Sequence, residues 1–189
     1  MRRRRRPIAV LAVLALLAAS ATLAGCKEEE HHDEPKREGL SFEMDDLDYN
    51  VFITRQLNIR NPEDHDYYAG PDAPPGANLY GVFLEVCNDA DEARTSASEF
   101  KIVDTQKNEF EPKELPESNF FAYHSRKIQP QDCIPTPSSA AATGPTGGAM
   151  LLFELPISAT ENRPLELEVR GPFNTKTGKY EVRKVELDI

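Results

Sequence analysis

Apolar residues recur at every second position through much of the chain beyond residue 40, and a period of two predicts strands rather than helices. Leu47, Tyr49, Val51 and Ile53 form one such run. Tyr80, Val82, Leu84 and Val86 in "LYGVFLEVCN" form a second, and Leu165, Leu167 and Val169 in "LELEV" a third. "MLLFELP" from Met150 is apolar without a break, which predicts a central strand buried on both faces. Phe100 and Ile102 mark a further strand, with Phe110 beyond a turn at Gln106-Lys107-Asn108. In the last strand Tyr180 and Val182 share one phase and Val185, Leu187 and Ile189 the other, a slip that predicts a bulge near Arg183-Lys184. Proline- and glycine-rich loops separate these runs, at Asn61–Gly76, Pro112–Pro116 and Pro130–Gly148, and 15 prolines in 189 residues disfavour long helices. About seven to eight short strands with turn-rich connections define an all-β, antiparallel β-sandwich.

The first 39 residues follow another pattern. Arg2–Arg6 precede an apolar stretch from Ile8 to Ala19, and small residues then lead to Cys26, which is the layout of an export signal. Leu23-Ala24-Gly25-Cys26 resembles the bacterial lipoprotein box. That resemblance implies removal of residues 1–25 and a diacylglyceryl thioether on Cys26, so that the mature chain sits at the cell membrane with its domain on the extracytoplasmic side. Two or more acyl chains hold a protein stably, at about 0.8 kcal/mol per buried CH2. Residues 26–39 comprise this cysteine and an acidic segment with almost no apolar side chain; it cannot offset the entropy of ordering and is expected to be a disordered tether. The sandwich is then expected over 40–189.

The full chain carries 22 basic and 32 acidic residues; losing the five arginines of the leader leaves 17 basic residues and a formal net charge of −15. Nucleic-acid binding needs clustered lysine and arginine, so nucleic acid is set aside as a partner. Of three cysteines, Cys26 is assigned to lipid, and Cys87 and Cys133 remain on the oxidising side of the membrane, where a disulfide between them is expected. Whether it joins two sheets or tethers a loop is left open.

The stretches "LDYNVFITRQLN", "LYGVFLEVCND", "FKIVDTQKNEFEP" and "GAMLLFELP…RPLELEV" resemble the telokin-like, immunoglobulin-fold extracellular domains of unknown function found on bacterial lipoproteins. The resemblance spans roughly Leu40 to Arg170 and implies an immunoglobulin-like sandwich and a location, without an activity. No tryptophan is present to pack on a disulfide, and Gln131 stands where a tyrosine corner would place tyrosine.

Catalytic and cofactor patterns are scarce. No G-x-S-x-G elbow occurs, and His124-Ser125 are neighbours whose side chains diverge in an extended chain. "GPTGGA" lacks the lysine of a phosphate loop, and an Asp46-Asp48-Asn50 calcium-loop start fails at Val51 and Leu57. No cofactor is implied. His31-His32-Asp33-Glu34 and Asp64-His65-Asp66 offer metal ligands, but adjacent ligands on a tether make a weak site. Binding by surface remains. Tyr67 and Tyr68 in the Asn61–Gly76 loop, and Phe121 and Tyr123 in "NFFAYH", are the expected contact residues. The sequence thus predicts a lipid-anchored, non-enzymatic interaction or structural module with an unknown protein or envelope partner. The alternative is a zinc- or copper-binding envelope lipoprotein using His31 and His32.

Overall fold

Two sheets face each other across an apolar core in the computed structural model, which describes residues 34–175 and 177–189. The first sheet has the order β1 (Lys36–Arg37), β12 (Lys179–Leu187), β11 (Leu165–Asn174), β6 (Glu99–Val103) and β7 (Glu109–Phe110). The second has the order β10 (Ala149–Pro156), β4 (Ala77–Cys87), β3 (Leu47–Leu57) and β2 (Phe42–Met44), with β9 (Cys133–Ile134) also on β4. A ribbon of β5 (Arg94–Thr95) and β8 (Lys127–Ile128) completes the twelve strand segments among the described residues. Sequence periodicity predicts seven to eight; five of the twelve are only two residues long, too short to leave an alternating pattern. Among the described residues the strands pair antiparallel except β1 with β12.

Leu167, Val169, Val185, Phe100 and Ile102 from one sheet meet Tyr49, Val51, Val82, Leu84 and Phe153 from the other. A smaller cluster lies on the other face of the second sheet, where Leu57, Leu79, Phe83, Met150 and Leu152 pack on Tyr67. Tyr67 ends α1 (Pro62–Tyr67), whose start is set by Asn61: its side chain accepts from Glu63 N, and Pro62 stands at the first turn. The continuous apolar run of β10 is therefore explained by two buried faces, yet the strand is not central. It ends its sheet, and its free edge is covered by the 113–123 segment through Lys113 N to Leu152 O, Tyr123 N to Met150 O and Met150 N to Phe121 O. Gly148 opens β10 at φ +111°, and a Cβ there would stand 2.9 Å from Leu84 N, so glycine is required.

Two register shifts differ from the periodicity. β3 slips between Val51 and Ile53, which exposes Phe52 and Ile53 and buries Thr54. The slip predicted in the last strand is absent there: β12 is regular, and the irregularity falls on its partner, between Arg170 and Phe173. Tyr180 and Val182 simply face outward while Val185 and Leu187 face the core. The domain also begins earlier than residue 40. Lys36 and Arg37 pair with Val185 and Glu186, Gly39 N bonds Val51 O, and Glu38 accepts from Thr54 N at 3.1 Å. Residues 36–39 of the acidic segment acquire partners once sheet edges are present, which composition alone does not reveal.

One polar device sits inside the core. The Tyr49 hydroxyl accepts from Ala97 N and the Tyr123 hydroxyl donates to Ala97 O, both at 2.8 Å, so the link into β6 is held by both backbone groups. Burial pushes the Tyr49 phenol up to about 12 and Tyr123 upward as well.

Candidate functional site

The contact residues read from sequence do not form an exposed surface. Tyr67 and Tyr123 are buried, Phe121 and Tyr68 pack partly against the smaller cluster, and Phe121 stands edge-on to Tyr67 at 4.7 Å. The expected alternation fails because Asn119 turns the chain: its amide donates to Tyr67 O and its carbonyl accepts from Phe121 N, both at 2.9 Å. Phe121 then enters one cluster and Tyr123 the other, leaving Phe120 as the 82% exposed residue. In α1, Asp64 is buried and ion-paired to Arg55, so it is a structural carboxylate and not half of a metal cluster with Asp66. Ser125 donates to Ser96 O, away from any nucleophilic role with His124. Cys26, His31 and His32 lie outside the described residues.

Cys87 and Cys133 are disulfide-bonded and face each other directly in the β4–β9 pair, with Cα atoms 4.1 Å apart. The bond therefore joins neighbouring strands of one sheet and pins the loop that carries β9; it does not cross between sheets. Arg126 holds the same loop, donating to Cys133 O at 2.6 Å and to Asp132 at 2.9 Å, and this guanidinium keeps the Asp132 carboxyl below its usual range. Glu85 lies near both sulfurs, but the disulfide removes the thiolates that a metal would need.

A surface that periodicity classed only as solvent-facing is the candidate site. The outward residues of β7, β6, β11 and β12 line a groove of about 920 Å³, a size suited to a short segment or small ligand. Lys101, Glu109 and Glu168 in its lining belong to a charge ladder that continues across the sheet, outside the groove, to Lys184 and Glu166. Lys101 reaches Glu109 at 2.6 Å and Glu168 at 3.3 Å, and Lys184 reaches Glu168 at 3.1 Å and Glu166 at 3.0 Å. Arg170 pairs with Glu99 at 2.6 Å and lies 3.7 Å over the Tyr180 ring. The strands deliver these groups because alternate residues of "FKIV", "LELEVR" and "KYEVRK" point away from the core. Glu111, Glu114 and Lys179 rim the groove and form no ion pair with the described residues. The one sequence signal for this surface is the off-phase pair Tyr180 and Val182, apolar on the outward face.

Burial raises the Glu168 carboxyl, but the hydrogen bonds from Lys184 and Lys101 outweigh it and hold it below the usual range, while both ammonium groups are shifted up, chiefly by their carboxylate partners. A carboxyl depressed on folding contributes stability above its unfolded value, lost as pH falls through the folded value. Glu168→Gln should therefore be less stable than the native chain at neutral pH and should lose less as pH drops from about 5 to 3. Chemical denaturation at each pH checks this; parallel curves would remove Glu168 as the titrating group.

No described protein family and no curated protein matches the chain. Solved structures do resemble it. The yjhA protein of Bacillus subtilis aligns with 81% of this chain and 99% of its own, at 12% identity and a TM-score of 0.51. A Bacillus subtilis protein provisionally described as a lipoprotein, ycdA, aligns with 80% of this chain and 39% of its own, at 11% identity and TM-score 0.47. An uncharacterized β-sandwich protein of Clostridium difficile aligns with 80% of this chain and 96% of its own, at 12% identity and TM-score 0.42. The likeness to yjhA concerns the fold alone: the two facing sheets make the chain an all-β sandwich protein, and no activity is named for the three.

Proposed function

We propose that the chain is a lipid-anchored, extracytoplasmic, non-enzymatic interaction module that presents the groove of its first sheet to an envelope partner. The anchor rests on Leu23–Cys26 and the export layout before it. Kinship to telokin-like lipoprotein domains rests on the sequence resemblance. The observation that carries the recognition role is the charge ladder: Glu168 is shifted down and Lys101 and Lys184 up, so all three stay charged at neutral pH. Acid–base catalysis needs a group poised near the working pH; fixed, mutually held charges suit recognition instead. Among the described residues no helix is long and apolar enough to cross a membrane.

Labelled fatty acid should enter the native chain and not Cys26→Ser, and equal labelling would reject the anchor. A photo-crosslinking residue at Glu114 on the groove rim should trap one discrete species in intact envelopes, lost with Glu168→Lys; the same trapping from exposed Phe120 would reject the groove. Stoichiometric zinc or copper uptake abolished by His31→Ala and His32→Ala would favour the metal reading instead.

A further inference from the structure

The β11–β12 hairpin runs past its neighbours. Pairing with β6 ends at Arg170–Glu99, so residues 172–174 and 179–180 continue as a two-stranded ribbon beyond the sheet. Its described residues are exposed, and it carries a cross-strand pair of rings, Phe173 and Tyr180, edge to face at 5.1 Å. Phe173 is 50%, Tyr180 47% and Val182 38% exposed, three of the eight exposed large apolar side chains among the described residues. The turn is closed by Asn174, which accepts from Gly178 N at 2.8 Å and from Thr177 N at 3.2 Å. Lys179 is exposed beside the rings, and Arg170 caps Tyr180. Aromatic rings with polar tips and flanking cations are the side chains that settle at a bilayer interface.

The direction of the chain selects the occupant. β1 runs parallel to β12, with Lys36 opposite Val185, so the chain preceding Lys36 leaves toward the start of β12, the end that bears the ribbon. From Val185 back to Gly178 is seven residues, about 23 Å of strand. From Lys36 back to Cys26 is ten residues, at most about 33 Å. Even fully drawn out, ten residues reach past the ribbon's end by no more than about 10 Å, comparable to the depth of the headgroup layer. We infer that the β11–β12 ribbon rests in the headgroup region of the membrane that holds Cys26, with Phe173 and Tyr180 at the interface and Lys179 toward lipid phosphate. This rests on the lipid anchor proposed above, and orients the groove beside the bilayer, open toward neighbouring envelope components.

The chain contains no tryptophan, so a single introduced indole reports depth. The full-length lipidated chain carrying Phe173→Trp, in phosphatidylcholine–phosphatidylglycerol vesicles with bromine on shallow acyl positions, should be quenched at least threefold more than the same chain carrying Phe120→Trp. Circular dichroism of both should match the native chain, since both positions are exposed. Adding Tyr180→Ser and Lys179→Glu to Phe173→Trp should cut the quenching without releasing the chain from vesicles. Equal, weak quenching at both positions on chains that float with the vesicles would overturn the docked ribbon and leave the anchor standing. Failure of the native chain to float, or flotation unchanged by Cys26→Ser, would fall on the anchor. Indole at position 173 shielded by added peptidoglycan but not by lipid would assign the ribbon to the cell wall and also overturn the inference.

Discussion

Cys133→Ser should lower the unfolding free energy by about 4 kcal/mol, the chain-entropy value for a cross-link closing this loop, and lower Tm by roughly 10 °C. The sequence separation of 46 sets that size, because the unfolded chain regains the freedom of the whole span from β4 to β9. Nothing comparable replaces the bond. β9 has two residues, and its other supports include ladder pairing at Val86–Ile134, the Asn88 N to Asp132 O and Gln131 N to Asn88 O bonds, and the Arg126 contacts to Cys133 O and Asp132. Cys87→Ser with Cys133→Ser should match the single variant, since each breaks the same bond. Reductant should destabilise the native chain by a similar amount and leave the variants unmoved. Urea unfolding with and without reductant measures this; a loss under about 1 kcal/mol would mean that these other supports hold β9.

Asp64→Ala should cost about 3 kcal/mol, the lower end of what removing one partner of a buried pair costs, because Arg55 keeps some access to water. Asp64 touches the Arg55 guanidinium at 2.7 Å with one oxygen and accepts from Asn58 N at 2.8 Å with the other. The guanidinium lies 5.4 Å from the Tyr67 ring centroid and 5.8 Å from that of Phe83. Without the carboxylate, a cation is left among aromatic rings and a backbone donor loses its acceptor. α1 and the loop bonded to Tyr67, whose hydroxyl accepts from Thr146 N at 3.0 Å, should loosen together. Asp64→Asn keeps an acceptor for Asn58 and should cost less than alanine. Arg55→Met with Asp64→Leu should recover much of the loss, because apolar side chains of similar volume need no counter-ion. Equilibrium unfolding of the native chain, Arg55→Met, Asp64→Leu and the double variant gives the cycle; additive losses would show that the two residues act separately.

The strands that bury one face were legible because burial imposes a period of two: Leu165, Leu167 and Val169 lie in the core as the pattern requires. Where both faces are covered, the period vanishes and with it the position of the strand. β10 reads as central, yet its second face is covered by Tyr67 and Phe121, and its edge by bonds from residues distant in the chain. The off-phase Tyr180 and Val182 were visible as letters and misplaced as a bulge, since an outward aromatic and a shifted strand leave the same sequence pattern. The groove was hidden for a related reason. Glu, Lys and Arg at alternate positions mark a solvated face, and only the packing of β6, β11 and β12 side by side places Lys101 and Lys184 on either side of Glu168.

By itself the sequence determined the all-β class, the loops that separate the strands, and the chemical capacity of Cys87 and Cys133 to bond, because periodicity, proline content and cysteine count act locally or by composition. The tertiary structure decided which residues are exposed, how far the domain reaches into the acidic segment, and which charges meet. Those depend on register between strands far apart in the chain, and a slip of one residue exchanges the two faces of a strand. Phe173 and Tyr180 went to a projecting ribbon for that reason, while α1 carried Tyr67 and the turn at Asn119 carried Tyr123 to the interior: chain geometry, and not side-chain type, chose the aromatics that face outward.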